Sequence, residues 1–389
     1  MTGLSKRKRL LLIVNDAGFF VSHRLPVALA AREAGFEVHV ATAPGEAVPI
    51  IRSHGIAHHP LGLSRSGTNP LGEVLAFLQI VRMLQRVRPD LVHLVTLKPV
   101  LYGGIAARLT GVPAVVAAIS GLGDVFAAHN LHTRMVRLLV TLAYRVALNH
   151  ERLKVILQNP SDRDTLSRVA GLTRDKAVMV RGSGVDLRTY LQAPEPEGVP
   201  VVTFASRLLR SKGVYEFVAA AQQLIAGGVR ARFQLVGDVD PGNASSVTAA
   251  EIGRWRSGGA VEVLGYRRDI AEIFAASNLV VLPSYYGEGL PKVLMEAAAC
   301  GRAIVTTDMP GCRDAVVPGR TALLVPPRDA TALANAIHTL LTDPVRRHTM
   351  GSAARALAEH EYAIEYIVAQ HLKVYRDLVG DKPTANLAT

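Results

Sequence analysis

The sequence is short of several residue types, and each shortage excludes a class of protein. Two cysteines, Cys300 and Cys312, stand in 389 residues. One such pair supports neither a disulfide framework nor a zinc site, and both thiols read as buried or incidental. Aromatic residues make up 5% of the chain, with a single tryptophan. Zinc-finger spacing and an aromatic-rich RNA-binding strand are both missing, so a nucleic-acid partner is not expected. No apolar run reaches the ~20 residues of a bilayer span. Leu10 to Val14 and Val100 to Ala107 are short, and Arg145 interrupts Leu138 to Leu148. The basic start Lys6-Arg7-Lys8-Arg9 precedes an apolar run, as in a signal peptide, but Asn15-Asp16 follow it with no small-residue cleavage site. It reads instead as a first buried strand, and a cytoplasmic location is expected.

What is present is a chain for folded cores, 49% hydrophobic and 20% charged, long enough for two domains. Its net charge of +12 asks for an anionic partner: nucleic acid, an anionic membrane surface or a phosphorylated small molecule. Short Val/Ile/Leu runs alternate with longer amphipathic stretches, the pattern of parallel strands joined by crossover helices. Strands are expected near 9–14, 37–42, 57–63, 91–95, 113–118, 153–158 and 177–181, with helices including 22–34 and 71–87. Residues 191–200 carry three prolines and read as an exposed linker. A second series follows, with strands near 200–205, 231–236, 260–264, 278–283, 303–306 and 322–325, and helices near 213–226, 267–275, 290–299 and 329–342. The expected fold class is α/β: two Rossmann-like, doubly wound parallel-sheet domains facing a central cleft, 1–193 and 198–361. A last helix, about 362–382, is a candidate to cross back to the first.

Ligands of open α/β sheets bind outside the carboxyl ends of the strands, so the residues just after each strand are the informative ones. After strand 278–283 the chain reads Glu288-Gly289-Leu290-Pro291-Lys292-Val-Leu-Met-Glu296. Gly289 and Pro291 open a helix whose free N–H groups suit a phosphate, and Lys292 adds charge. A carboxylate in the loop, Glu288, can reach hydroxyls beside that phosphate, and Glu296 can hold a vicinal diol such as a ribose. Taken alone, Glu296 reads equally well as a solvated helix-face residue. After strand 200–205 stand Arg207 and Lys212, a fork and a point charge suited to a pyrophosphate.

Two Glu residues separated by seven others, with Arg207 and Lys212 upstream in Ser206-Arg207-Leu208 and Lys212-Gly213, resemble the retaining, GT-B-type glycosyltransferases of family 4 across the whole chain. Within that family the resemblance is to bacterial enzymes that build lipid-linked and surface glycans. It implies a UDP-sugar donor and a polyprenyl-diphosphate-linked glycan acceptor, with no metal and no other cofactor. By the same resemblance Arg207 and Lys212 stabilise the donor diphosphate, Glu288 contacts the transferred sugar and Glu296 holds the ribose. Backbone around Gly289 and Leu290 meets the phosphates, and Gly237 with Tyr266-Arg267 stands on the nucleobase side. A UDP-sugar epimerase of the same architecture and a non-catalytic nucleotide-sugar-binding scaffold stay open as alternatives. The missing Gly-x-Gly-x-x-Gly after strand one speaks against a nicotinamide enzyme.

The Asp-x-Asp strings at Asp162 and Asp238 are weak metal signals, and Asp162 reads better as a helix-start acid. In the first domain Gly18 and His23 follow strand one, with Ser22 as a cap for the next helix, and are acceptor candidates. Lys98, Ser120 and Asp124 join them, as does the turn Arg65 to Pro70. Ser120 stands where the family commonly has a histidine. Residues 129–154 set Arg134, Arg137 and Arg145 among Leu138, Leu139 and Leu142, a pattern that suits either an anionic membrane surface or packing into the core.

Overall fold

The computed structural model describes residues 7–63, 70–123, 131–241 and 243–380. The chain forms two compact units: one takes in the residues up to Ser183 and again from Glu365, the other Gly184–Ile364.

The first unit runs β1 (Arg9–Val14), α1 (Ala17–His23), α2 (Leu25–Glu33), β2 (Glu37–Thr42), α3 (Val48–Ser53), β3 (Ala57–Pro60), α4 (Pro70–Val87) and β4 (Leu91–Val95). A π-helical turn, Pro99–Gly103, leads into α5 (Gly104–Thr110), followed by β5 (Ala114–Ile119), α6 (Leu131–Ala147), β6 (Leu153–Leu157), α7 (Pro160–Ala170) and β7 (Ala177–Met179). Its seven strands are parallel in the order β3-β2-β1-β4-β5-β6-β7. The second unit runs β8 (Val201–Ala205), α8 (Val214–Ala226), β9 (Arg232–Val236), α9 (Ala249–Ser257), β10 (Glu262–Gly265), α10 (Ile270–Ala275), β11 (Leu279–Leu282), α11 (Lys292–Ala299), β12 (Ala303–Thr307), β13 (Ala322–Val325), α12 (Ala330–Thr342) and α13 (Pro344–Leu357). Its six strands are also parallel, ordered β10-β9-β8-β11-β12-β13.

Helices cover both faces of such sheets, so the central strands carry unbroken apolar runs. In β4, β5, β8, β11 and β12 every residue is buried. In each sheet the strand order reverses once, between β1 and β4 in the first unit and between β8 and β11 in the second. These switch points are where the carboxyl ends of neighbouring strands part and leave room for a ligand.

Three details depart from the sequence reading. The helix expected over 22–34 is two helices, α1 and α2, broken at Arg24, because Pro26 lacks an N–H and its ring clashes with the preceding turn. Ser22 lies inside α1, where its hydroxyl bonds the Gly18 carbonyl at 2.9 Å, and the cap is Asp16, which accepts from Phe19 N–H. The segment read as an exposed linker, 191–200, is largely exposed, but it is also tied down within the second unit. The buried Arg302 donates to the Ala193 and Pro194 carbonyls, and Glu195 accepts from Arg347 at 2.8 Å and from Asn278 at 3.2 Å.

The last helix, α14 (Ile364–Val379), packs on the first unit through a buried polar cluster. Tyr375 Oη lies 2.6 Å from His93 Nδ1, His371 donates to the Ile367 carbonyl at 2.8 Å, and Arg24 to the His23 carbonyl at 2.9 Å. Burial holds His93 well below the usual histidine value of 6.5 and His371 at about 3, and the neighbouring Arg24 adds to both shifts. Below 6.5 the unfolded chain takes up protons that the folded chain refuses, so stability is full at neutral pH and falls as pH drops from about 6.5 toward 3. Thermal unfolding followed from neutral pH downward should show this decline, and His371→Leu should flatten it by up to ~1.4 kcal/mol per pH unit.

Candidate active site

At the carboxyl end of β8 the chain turns back through residues 207–213. Gly213 has φ 78°, and a Cβ there would run into the Pro283 carbonyl, so only glycine lets this turn lie against the end of β11. The close approach sets Lys212 beside Glu288. Their Nζ and Oε1 form an ion pair with both side chains largely buried, 13% and 12% exposed. Ser284 Oγ is 2.9 Å from the same carboxylate oxygen, and Tyr285 N–H donates to the Ser211 carbonyl at 3.0 Å. From the other side Gly311, at φ 82°, fits where a Cβ would overlap the Glu288 and Gly289 carbonyls.

Arg207, half exposed, pairs with Asp240. Asp240 is itself held by Asn243 Nδ2 at 3.3 Å, and its N–H donates to Ser246 Oγ at 2.9 Å. Gly237, at φ 137°, packs against the Ser206 carbonyl and closes the ends of β8 and β9 together. Between these ends and α11 lies a cavity of about 380 Å3, and its lining includes Arg207, Gly237, Asp238, Tyr266, Arg267, Val293 and Glu296. Tyr266 stands at its rim, 69% exposed, and Arg267 is oriented by Asp269 at 2.8 Å.

Glu296 is buried in the second turn of α11. Its Oε1 accepts from Tyr190 Oη at 2.7 Å and lies 3.5 Å from Lys292 Nζ. Burial pushes its carboxyl above the usual range, opposed by the Lys292 charge and the Tyr190 hydrogen bond. It is no solvated surface residue.

Of the residues singled out in the second domain, Arg207, Gly237, Tyr266, Arg267 and Glu296 share the cavity, whereas Lys212 and Glu288 form a neighbouring pair. Gly289, Leu290 and Pro291 connect the two. Leu290 is buried, and Pro291 keeps an extended backbone, so α11 begins two residues later than expected, at Lys292. Ser284, Asp240 and Tyr190 were not singled out for this site. Tyr190 lies 106 residues from Glu296 in a stretch without periodicity, and nothing in its sequence context marks it.

In the first unit Gly18 and His23 sit on α1 after β1, Lys98 follows β4 and Ser120 follows β5, three adjacent strands. His23 stacks on the Phe19 ring with centroids 4.1 Å apart. Lys98 pairs with Glu73 at 2.6 Å, and Tyr102 donates to the same carboxylate. The Ser120 hydroxyl is buried and has no hydrogen-bond partner among the described residues. Asp124 and residues 65–69 lie outside the described residues. Of the Asp-x-Asp strings, Asp240 is taken up by Arg207, and Asp162 joins the Asn159 cap at the start of α7. Among the described residues no group of three or more His, Cys, Asp or Glu is disposed for a metal ion.

Two family descriptions match most of the chain between them: glycosyl transferases group 1 over residues 199–343, and glycosyl transferase 4-like over residues 9–159. The chain is 28% identical over 380 residues to the N,N'-diacetylbacillosaminyl-diphospho-undecaprenol alpha-1,3-N-acetylgalactosaminyltransferase of Campylobacter jejuni, covering 93% of this chain and 97% of that one. It is 34% identical over 235 residues to an alpha-maltose-1-phosphate synthase of Mycolicibacterium smegmatis, 55% of this chain and 60% of the relative. Among solved structures, Anabaena HepE in complex with UDP superposes with a TM-score of 0.76 at 22% identity, over 95% of this chain and all of that one. Sucrose-phosphate synthase from Thermosynechococcus elongatus gives 0.77 at 24%, over 96% of this chain and all of that one.

Replacing Gly213 by alanine should force the 207–213 turn off β11. The left-handed backbone and the overlap together should cost at least about 2 kcal/mol, read as a lowered midpoint of thermal unfolding.

Proposed function

The chain belongs to the GT-B-type glycosyltransferases of family 4, and from the chemistry of its second unit we propose that it moves a hexose or N-acetylhexosamine from a UDP-sugar to a polyprenyl-diphosphate-linked saccharide, retaining the anomeric configuration. The observation that carries this reading is the convergence of Arg207, Lys212, Glu288 and Glu296 at the switch point of the second sheet, although 89 positions separate the first from the last. Two cations stand where a diphosphate would lie, and a buried carboxylate lines the neighbouring cavity.

The bond that breaks joins the sugar's anomeric carbon to the diphosphate, which leaves with its electron pair. Arg207 and Lys212 meet the charge as it grows, and preplaced charges of this kind lower the barrier without reorganising. In that account they take the part a metal ion plays elsewhere, and none is required. In this structure Asp240 pairs with Arg207 and Glu288 with Lys212. On donor binding the diphosphate takes their place, leaving Glu288 to accept from a hydroxyl of the transferred sugar. The acceptor hydroxyl attacks from the side on which the diphosphate leaves: its oxygen bonds to the anomeric carbon and its proton passes to the departing diphosphate oxygen. The cavity beside Gly237, Tyr266 and Arg267 takes the base and Glu296 the ribose. A UDP-sugar is favoured because HepE was solved with UDP, and a lipid-linked acceptor because the Campylobacter relative is named for one. Gly18, His23, Lys98, Ser120 and Asp124 are then the acceptor side.

The same reading puts the enzyme at the inner face of the cytoplasmic membrane. No helix among the described residues is long and apolar enough to cross a membrane. Helix α5 packs against both α4 and α6. On α4 the side chains of Leu71, Val74, Leu75 and Leu78 are exposed on one face, and on α6 those of Leu138, Leu139 and Leu142. Exposed Arg82, Arg86, Arg108, Arg137 and Arg145 accompany them. Apolar anchors among guanidinium groups fit an anionic lipid surface, which bears on the two readings of residues 129–154.

Two measurements test the proposal. Transfer from a panel of UDP- and GDP-sugars to lipid extract should select one UDP-sugar, and Lys212→Ala and Glu288→Ala should each lose activity about a hundredfold; isomerised donor without transfer would point to an epimerase instead. Sedimentation with phosphatidylglycerol vesicles should fall at least about tenfold in Leu75→Ser/Leu142→Ser, with UDP binding unchanged.

A further inference from the structure

Glu296 makes unequal use of its two oxygens. Oε1 accepts from Tyr190 Oη at 2.7 Å and faces Lys292 Nζ at 3.5 Å. Among the described residues none makes a hydrogen bond or ion pair with Oε2, and the residue lines the 380 Å3 cavity. A carboxylate with neither oxygen fixed can rotate about its last bond, whereas one oxygen held by a directed hydroxyl leaves the other at a defined place.

Tyr190 is itself immobilised. It ends a turn in which the Asp186 carbonyl accepts from Thr189 N–H at 3.1 Å and Tyr190 N–H at 2.9 Å, while Asp186 Oδ1 accepts from Arg188 N–H at 2.9 Å. Arg355 on α13 then donates to the Tyr190 carbonyl at 2.9 Å and to the Ala299 carbonyl, at the end of α11, at 2.6 Å. One guanidinium therefore clamps the backbone of the tyrosine to the helix that carries the glutamate. The tyrosine comes from the irregular segment before β8, the glutamate from α11 and the arginine from α13, all within the second unit.

We propose that Tyr190 is a positioning residue for donor binding: its hydroxyl, braced through Arg355, fixes the Glu296 carboxylate so that Oε2 accepts from a ribose hydroxyl of the nucleotide. The proposal rests on the reading that Glu296 holds the ribose. A tyrosine does this where a phenylalanine would not, because the ring packs on the core in either case while only the phenol donates a hydrogen bond.

The test is calorimetric binding of UDP and of 2′,3′-dideoxyuridine diphosphate to the full chain as wild type, Tyr190→Phe and Glu296→Gln, with donor KM and kcat measured alongside. For Tyr190→Phe we expect UDP affinity to fall about three- to tenfold, KM to rise by a similar factor, and kcat to stay within about twofold. With the dideoxy nucleotide the variant and the wild type should bind alike, since the hydroxyls that Glu296 would meet are gone. Glu296→Gln should weaken UDP at least as much. If Glu296→Gln weakens UDP and Tyr190→Phe does not, the positioning role is wrong while the ribose reading stands. If Tyr190→Phe weakens both nucleotides equally, the tyrosine serves only packing and the proposal falls. If Glu296→Gln leaves UDP binding intact, or the wild type binds no UDP, the ribose reading fails and the proposal with it.

Discussion

The second unit is organised around two cations that would repel each other and are each neutralised by a carboxylate from elsewhere in the chain. Arg207 meets Asp240 from the segment after β9, and Lys212 meets Glu288 from the loop after β11. The Lys212 pair is largely withdrawn from water, and removing one member of such a pair strands the other at a cost of about 3–5 kcal/mol. These contacts hold three strand ends together, and Gly213, Gly237 and Gly311 supply the backbone contacts on which they depend. Under the proposed function a site held this way has its positive charge already assembled, and a donor oxyanion takes the place of each carboxylate. The proposed donor chemistry asks for that exchange.

Much of this arrangement was legible in the sequence, for physical reasons. Parallel strands buried on both faces announce themselves as short apolar runs, so β1, β2, β4 and β13 begin and end where the pattern places them. The residues singled out in the second unit sit directly after such strands, and their positions follow once the strands are known. Other features carry no such signal. Helix α9 buries none of its residues, so it has no apolar stripe to read, although its Thr248 and Glu251 form a capping box. Pro26 breaks at Arg24 a helix that periodicity alone would continue, and Arg24 is buried beside histidines from β4 and α14 that lie far along the chain. Tyr190 reaches Glu296 only after the chain has folded back on itself.

The segment 191–200 is largely exposed, as its composition predicts, but composition does not reveal what holds it down. Its prolines suit an extended path, as in a linker, but an extended path also presents carbonyls in a row, and the buried Arg302 needs acceptors. A desolvated guanidinium without hydrogen bonds would cost several kcal/mol, so the strap and the arginine stabilise each other. Under the proposed function the +12 net charge serves two separate demands: cations at the switch point for a diphosphate, and the exposed arginines of α4, α5 and α6 beside exposed leucines for an anionic surface.

Under the proposed function, affinity for the donor resides in the diphosphate held by Arg207 and Lys212. The most direct measurement is calorimetric binding of uridine, UMP and UDP to the wild type and to Arg207→Ala/Lys212→Ala. The account predicts that UDP binds the wild type at least about a hundredfold tighter than uridine, as two charge-assisted contacts should provide, and that the double variant loses most of that difference. Uridine binding as tightly as UDP, or a double variant that keeps the full preference, would contradict it.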